Sequence, residues 1–116
     1  RDTISGRRYS DIIEIAKDQI RKTYMSDEIS LNTIAAEVGM SPSYFSSIFS
    51  KEMGKTFVEY LTEIRMDRAK ELLMCSSMKT SEIGYEVGYK DPHYFSYIFK
   101  KTQNCTPKEF RARGKE

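Results

Sequence analysis

The residues able to bond covalently to a substrate or to hold a metal are few: Cys75, Cys105 and a single histidine, His93. A zinc site needs three or four Cys, His or carboxylate ligands at short spacing, and the two cysteines stand thirty residues apart. No metal centre is expected. Nor is a disulfide, since two lone cysteines in a Lys- and Glu-rich chain read as reduced thiols. A Cys–His nucleophile pair finds no supporting motif, and the six glycines are scattered singly, so no loop is built to cradle an oxyanion or a phosphate. The expectation is a chain that is not an enzyme and needs no cofactor. What remains is hydrogen-bonding chemistry: two sets of serine, histidine, tyrosine and lysine side chains that helical spacing turns outward.

Those two sets lie in two copies of one segment. Residues 34–51 (IAAEVGMSPSYFSSIFSK) recur as residues 83–101 (IGYEVGYKDPHYFSYIFKK), with one residue added before the second proline. The matches include turn residues (Gly39/Gly88, Pro42/Pro92) as well as apolar ones (Ile34/Ile83, Phe45/Phe95, Phe49/Phe99), which a chance alignment would not copy together. In the first copy Ser30 is the expected N-cap of a short helix through Val38. Gly39 then stands where a helix stops in the left-handed conformation. Ser41 caps the next helix, and Pro42 takes its first position, where a missing N–H costs nothing. Phe45, Ile48 and Phe49 form an inward stripe at i, i+3, i+4, leaving Ser43, Ser46, Ser47 and Ser50 outside. The second copy repeats this with Gly88 as stop, Asp91 as cap and Pro92 first. Its stripe is Phe95, Ile98 and Phe99, with His93, Ser96, Tyr97 and Lys100 outside. Two short helices joined by a glycine turn make a helix-turn-helix pattern.

The elements that must position these faces are also legible. Residues 10–24 form an amphipathic helix with Ile12, Ala16, Ile20 and Tyr24 on one stripe and Ile13 and Ile15 alongside. Thr56 and Glu59 form a capping box that opens a helix carrying Phe57, Leu61, Ile64, Ala69, Leu72 and Leu73 and ending near Cys75. Thr106 and Glu109 form a second box, opening a short last helix through Phe110 and Arg111. The expected fold is all-α, with seven helices and no strand. Its organisation is a linker or frayed start over residues 1–8, a first helix-turn-helix subdomain over 9–55, and a connecting helix over 56–75. A second subdomain covers 76–113 and a tail 114–116. The adjacent tyrosines Tyr44 and Tyr94 are expected in the core with their phenylalanine neighbours.

Length and charge agree with one domain or two very small ones: 116 residues, 39% hydrophobic and 31% charged, with 19 Lys+Arg against 17 Asp+Glu. No apolar run approaches the roughly 20 residues that span a bilayer, and the start shows no apolar stretch of a secretory signal. The chain begins without Met, so it is expected to be a piece of something longer. Its small net charge of +2 is unevenly spread: residues 1–40 hold six basic and seven acidic side chains, residues 80–116 seven and five. At 1.5 Å per residue, a helix from Phe57 to Cys75 is a rod of about 28 Å, against about 34 Å between successive major grooves on one side of B-DNA. Two recognition helices on such a rod are expected to enter adjacent major grooves. Being in tandem in one chain, they need no two-fold axis, and the expected site is asymmetric.

Together the two repeats, the segment from Arg65 through Arg68 and Ala69 to Leu73, and the closing Thr106, Pro107, Glu109, Phe110 and Arg111 resemble the AraC/XylS family of DNA-binding domains, from about residue 10 to 113. The wording of both repeats is most similar to the output domains of YesN-type two-component response regulators. The resemblance implies a seven-helix domain that binds specific double-stranded DNA in the cytoplasm and regulates transcription. It also implies an N-terminal receiver or sensory domain in the same chain, and RNA polymerase as a partner. On it, the base-reading candidates are Pro42, Ser43, Ser46, Ser47 and Ser50 in the first recognition helix. In the second they are Pro92, His93, Ser96, Tyr97 and Lys100. Members of the family often carry Arg at the positions of Ser47 and Tyr97, where a guanidinium makes a bidentate contact to guanine. The departure at both places implies a less guanine-directed code. His93 reads equally as a base reader and as a solvated surface residue.

Candidate phosphate contacts are Ser41, Lys51, Lys55, Thr56, Lys101, Thr106, Lys108, Arg111 and Arg113, with the C-terminal basic cluster readable also as a solvated face. Arg65 and Arg68 are expected to pair with neighbours such as Asp67 and Glu71 rather than to touch DNA. The competing function class is a helical protein–protein interaction module with weak or lost DNA binding, motivated by the small net charge and by Ser47 and Tyr97.

Overall fold

In the computed structural model, which describes residues 2–114, seven helices follow one another and no strand occurs among the described residues. They are α1 (Asp2–Thr23), α2 (Leu31–Glu37), α3 (Pro42–Met53), α4 (Phe57–Cys75), α5 (Thr80–Glu86), α6 (Pro92–Gln103) and α7 (Pro107–Gly114). The first helix begins at Asp2, not near Ser10, so the expected linker over residues 1–8 is corrected to helix from residue 2 onward. The apolar stripe that marked the helix starts later than the helix itself. Extending a helix already nucleated adds one hydrogen bond per residue fixed, so it can run past its packed stripe. Gly114 ends α7, and the remainder of the expected tail lies outside the described residues.

The chain divides into two compact units. One comprises Glu28–Thr62 with the chain up to Tyr24, the other Glu63 onward with Met25–Asp27. The division therefore runs through α4 rather than at its ends, and three residues of the α1–α2 loop belong with the second unit. Local reasons are visible there: the Arg65 guanidinium donates to the Ser26 carbonyl at 2.9 Å, and Lys90 pairs with Asp27 at 2.5 Å. Arg65 is buried, at 7% exposure, and its guanidinium lies 4.8 Å from the Tyr89 ring centroid. Arg68 pairs with Glu71 and Lys70 with Asp67.

In the first unit Ile13, Ala16, Ile20, Ile34, Ala35, Phe45, Ile48 and Phe49 are buried, as are Phe57, Tyr60 and Leu61 of α4. Phe45, Phe49, Phe57 and Tyr60 meet ring to ring, with Phe49 5.6 Å from both Phe45 and Tyr60. Ile15, placed beside the stripe by pattern, is 54% exposed. In the second unit the core is Met66, Ala69, Leu73, Ile83, Val87, Phe95, Phe99 and Cys105. One repeat position differs instructively. Ala35 of α2 is replaced in α5 by Gly84, and a β-carbon there would stand 2.8 Å from the Phe95 ring. Gly84→Ala is therefore expected to destabilise the protein by about 1–3 kcal/mol through overpacking, despite alanine's better helix propensity. Chemical denaturation checks it, and a gain in stability would show that the Phe95 ring has room to retreat.

Candidate nucleic-acid interface

Each recognition helix is held at a fixed angle by the turn before it. After α2 the Met40 N–H donates to the Ala35 carbonyl at 2.9 Å and the Gly39 N–H to Ala36 at 3.1 Å, with Gly39 at φ +71°. After α5 the Tyr89 N–H donates to Gly84 at 2.9 Å and the Gly88 N–H to Tyr85 at 3.1 Å, with Gly88 at φ +115°. Both are Schellman closures, and both need a residue that tolerates positive φ. The next helices start as the sequence predicts. The Tyr44 N–H donates to Ser41 Oγ at 3.3 Å in α3, and the His93 N–H to Asp91 Oδ1 at 2.9 Å in α6, with Pro42 and Pro92 in the first turn. At their ends stand Gly54 and Asn104, both left-handed, at φ 72° and 65°.

On α3, Pro42, Ser43 and Ser47 are exposed and Ser46 and Ser50 half-buried. On α6, Pro92, His93, Ser96, Tyr97 and Lys100 are all exposed. The spacing i, i+3, i+4, i+7 places Ser43, Ser46, Ser47 and Ser50 on one helical face, and His93, Ser96, Tyr97 and Lys100 on another. The first face is neutral and short. The second carries a ring, an imidazole and an ammonium. Tyr44 and Tyr94 correct the sequence reading: they are 45% and 50% exposed, whereas Phe45, Phe49, Phe95 and Phe99 are fully buried. One residue is 100° of helix, enough to carry the tyrosines out of the core while their phenylalanine neighbours stay in. The Tyr44 hydroxyl donates to the Tyr9 hydroxyl at 2.5 Å, which raises the Tyr44 pKa above its ordinary value.

The basic candidates separate by what already holds them. Lys51, Lys101, Lys108 and Arg113 are exposed, and Lys55 is half-buried. Arg111 also has a structural role: its Nε donates to the Leu73 carbonyl at 3.0 Å and a terminal nitrogen to the Ser76 carbonyl at 3.1 Å, so it ties α7 to the C-terminal end of α4. The Thr56 and Thr106 hydroxyls cap the helices they open. Each hydroxyl accepts from the N–H of Glu59 or Glu109, at 3.1 and 3.0 Å, and each glutamate accepts from the threonine N–H at 2.8 Å. The boxes put a carboxylate over the starts of α4 and α7, where an incoming phosphate would be repelled. The Thr106 N–H and hydroxyl bonds, with Arg113 and Lys100 nearby, hold the Glu109 carboxyl below its usual range. Ser41 is exposed, and its Oγ accepts the Tyr44 N–H.

Among the described residues no group of three or more His, Cys, Asp or Glu is placed to hold a metal ion, and every buried side-chain N or O atom has a hydrogen-bond partner. Among the described residues no helix is long and apolar enough to cross a membrane.

Two helix-turn-helix units on one chain, each presenting a polar recognition face, define a class of nucleic-acid-binding domain. Comparison with known proteins agrees: residues 34–113 match the helix-turn-helix domain family. The C-terminal domain of AraT, a response regulator from Geobacillus stearothermophilus, is 35% identical with a TM-score of 0.86, the match covering 88% of this chain and 84% of that one. The C-terminal domain of the two-component response regulator yesN from Fusobacterium nucleatum is 35% identical with a TM-score of 0.83, over 84% and 95% of the two chains. An HTH-type transcriptional regulator of Pseudoalteromonas carrageenovora is 36% identical over 86% of this chain and 58% of its own length. The chain belongs to the helix-turn-helix family of AraC-type DNA-binding domains. It spans from about a tenth to three-fifths of the length of the curated relatives it matches.

Proposed function

We propose that the protein binds double-stranded DNA by placing α3 and α6 in adjacent major grooves, as the output domain of a transcription regulator. The observation that carries this reading is the duplication itself: two recognition helices with matching caps, closures and outward faces, joined through one 19-residue helix. Base reading falls to Pro42, Ser43, Ser46, Ser47 and Ser50 on α3 and to Pro92, His93, Ser96, Tyr97 and Lys100 on α6. Lys51, Lys101, Lys108 and Arg113 meet phosphate, with Lys55 and Ser41 beside them. Serine donates to or accepts from several bases, and Tyr97 offers a hydroxyl and an apolar ring edge to a thymine methyl, so the code is less guanine-directed than an arginine pair would give.

A receiver domain in the same chain and RNA polymerase as partner complete the proposed setting, in the cytoplasm. The response-regulator context of the AraT and yesN domains supports the first of these. Affinity measured against salt tests DNA binding: log K should fall with log salt at about 0.9 per neutralised phosphate. A slope near zero would favour a protein-binding module instead. Ser47→Arg is expected to tighten binding and raise guanine at one position of the selected site, a bidentate contact being worth about 1–3 kcal/mol of discrimination. Unchanged site composition would refute the register assigned to α3.

A further inference from the structure

Tyr94 is exposed on a recognition helix, yet its ring is not left to wander. Within the second unit, Tyr89, Tyr94 and Tyr97 form a continuous ladder. Tyr89 and Tyr94 are 5.7 Å apart between centroids, and Tyr94 and Tyr97 are 6.2 Å apart at an interplanar angle of 38°. The inner end is anchored: Tyr89 packs 5.9 Å from the buried Phe95 and carries the buried Arg65 guanidinium 4.8 Å from its centroid. At the outer end the Lys101 ammonium lies 5.8 Å from the Tyr97 centroid. Among the described residues the first unit has no counterpart, because Met40 and Ser47 occupy the positions of Tyr89 and Tyr97. There the equivalent tyrosine, Tyr44, turns to α1 and bonds to Tyr9.

We propose that Tyr94 is a positioning residue for DNA reading: through the ladder it presets the Tyr97 ring, so that α6 enters the groove with its largest reader already ordered. The inference rests on α6 being a recognition helix. The physical gain is in entropy. An exposed tyrosine that must be ordered on binding loses side-chain freedom, and an aromatic neighbour that already holds the ring removes most of that loss beforehand. Lys101 then has two duties, as ring partner and as phosphate contact.

The experiment is selection of bound DNA from a random pool, with affinities for the selected site, for the whole chain and four variants: Tyr94→Ala, Tyr94→Phe, Tyr97→Ala and the double alanine variant. Tyr94→Phe keeps the ring and should leave affinity and base preference unchanged. Tyr94→Ala should weaken the selected site about two- to tenfold and blur the base preference at the position that Tyr97→Ala also blurs. Its salt slope should not change. In the Tyr97→Ala background the Tyr94→Ala change should have no further effect. A Tyr94→Ala loss of equal size in both backgrounds, or none in either, overturns the ladder while leaving α6 a reader. If Tyr97→Ala leaves base preference untouched, α6 is misassigned as reader and the ladder falls with it.

Discussion

Phe95→Ala is expected to destabilise the second unit by about 3–5 kcal/mol, a large share of the roughly 5–15 kcal/mol that holds a small domain folded. Phe95 is fully buried at the centre of the core that Ile83, Val87, Phe99 and Leu73 share, and its ring lies against the backbone of Gly84 and the ring of Tyr89. Truncation removes the transfer free energy of the ring and leaves a cavity bounded by α5, whose close approach was set by that ring. Because Phe95 faces inward from the same helix that carries His93, Ser96 and Tyr97 outward, the loss should reach function. Urea unfolding should show a lower midpoint, and DNA affinity should fall in parallel. A variant of unchanged stability would mean that the core is organised differently.

Arg111→Ala should also lower stability, by about 1.5–3 kcal/mol, and leave the salt dependence of DNA binding unchanged. Its guanidinium satisfies carbonyls at the end of α4, where a helix leaves its last acceptors unpaired and a positive charge is favoured. Removing it strands the Leu73 carbonyl and loosens α7. Lys101→Ala makes the contrast: an exposed lysine with no backbone acceptor to serve should cost little stability while reducing the salt slope by about one. Thermal melts and salt titrations of both variants separate the two roles. A reduced salt slope for Arg111→Ala, with stability intact, would restore that residue to the phosphate contacts.

The elements most legible in the sequence were those written in turn chemistry. Gly39, Gly88, Ser41, Asp91, Thr56 and Thr106 each have a backbone reason to be where they are, and the structure uses each for that reason. Asn104 closes α6 in the left-handed conformation where Gly54 closes α3, a pairing that aligning the repeats further would have reached. Legibility failed where residue type and environment diverge. Tyr94 reads as core because it adjoins Phe95, yet a single residue's rotation exposes it. The structural role of Arg111 was not legible, because its acceptors lie 35 and 38 residues away in sequence, beyond any local pattern. Residues 2–8 lack the apolar period by which helices are recognised, yet their backbone is helical. Nor does anything local assign Met25–Asp27 to the second unit. The candidate reading faces follow from helical spacing alone, but the differing surroundings of Tyr44 and Tyr94 needed the structure.

DNase footprinting of a site selected from random DNA tests the central claim most directly. The account predicts two protected stretches on one face of the duplex, about 10–10.5 bp centre to centre, with no two-fold symmetry between their sequences. Ser47→Arg should alter one stretch and Tyr97→Ala the other. Protection confined to a single half-turn, or a palindromic site bound only by a dimer, would contradict it.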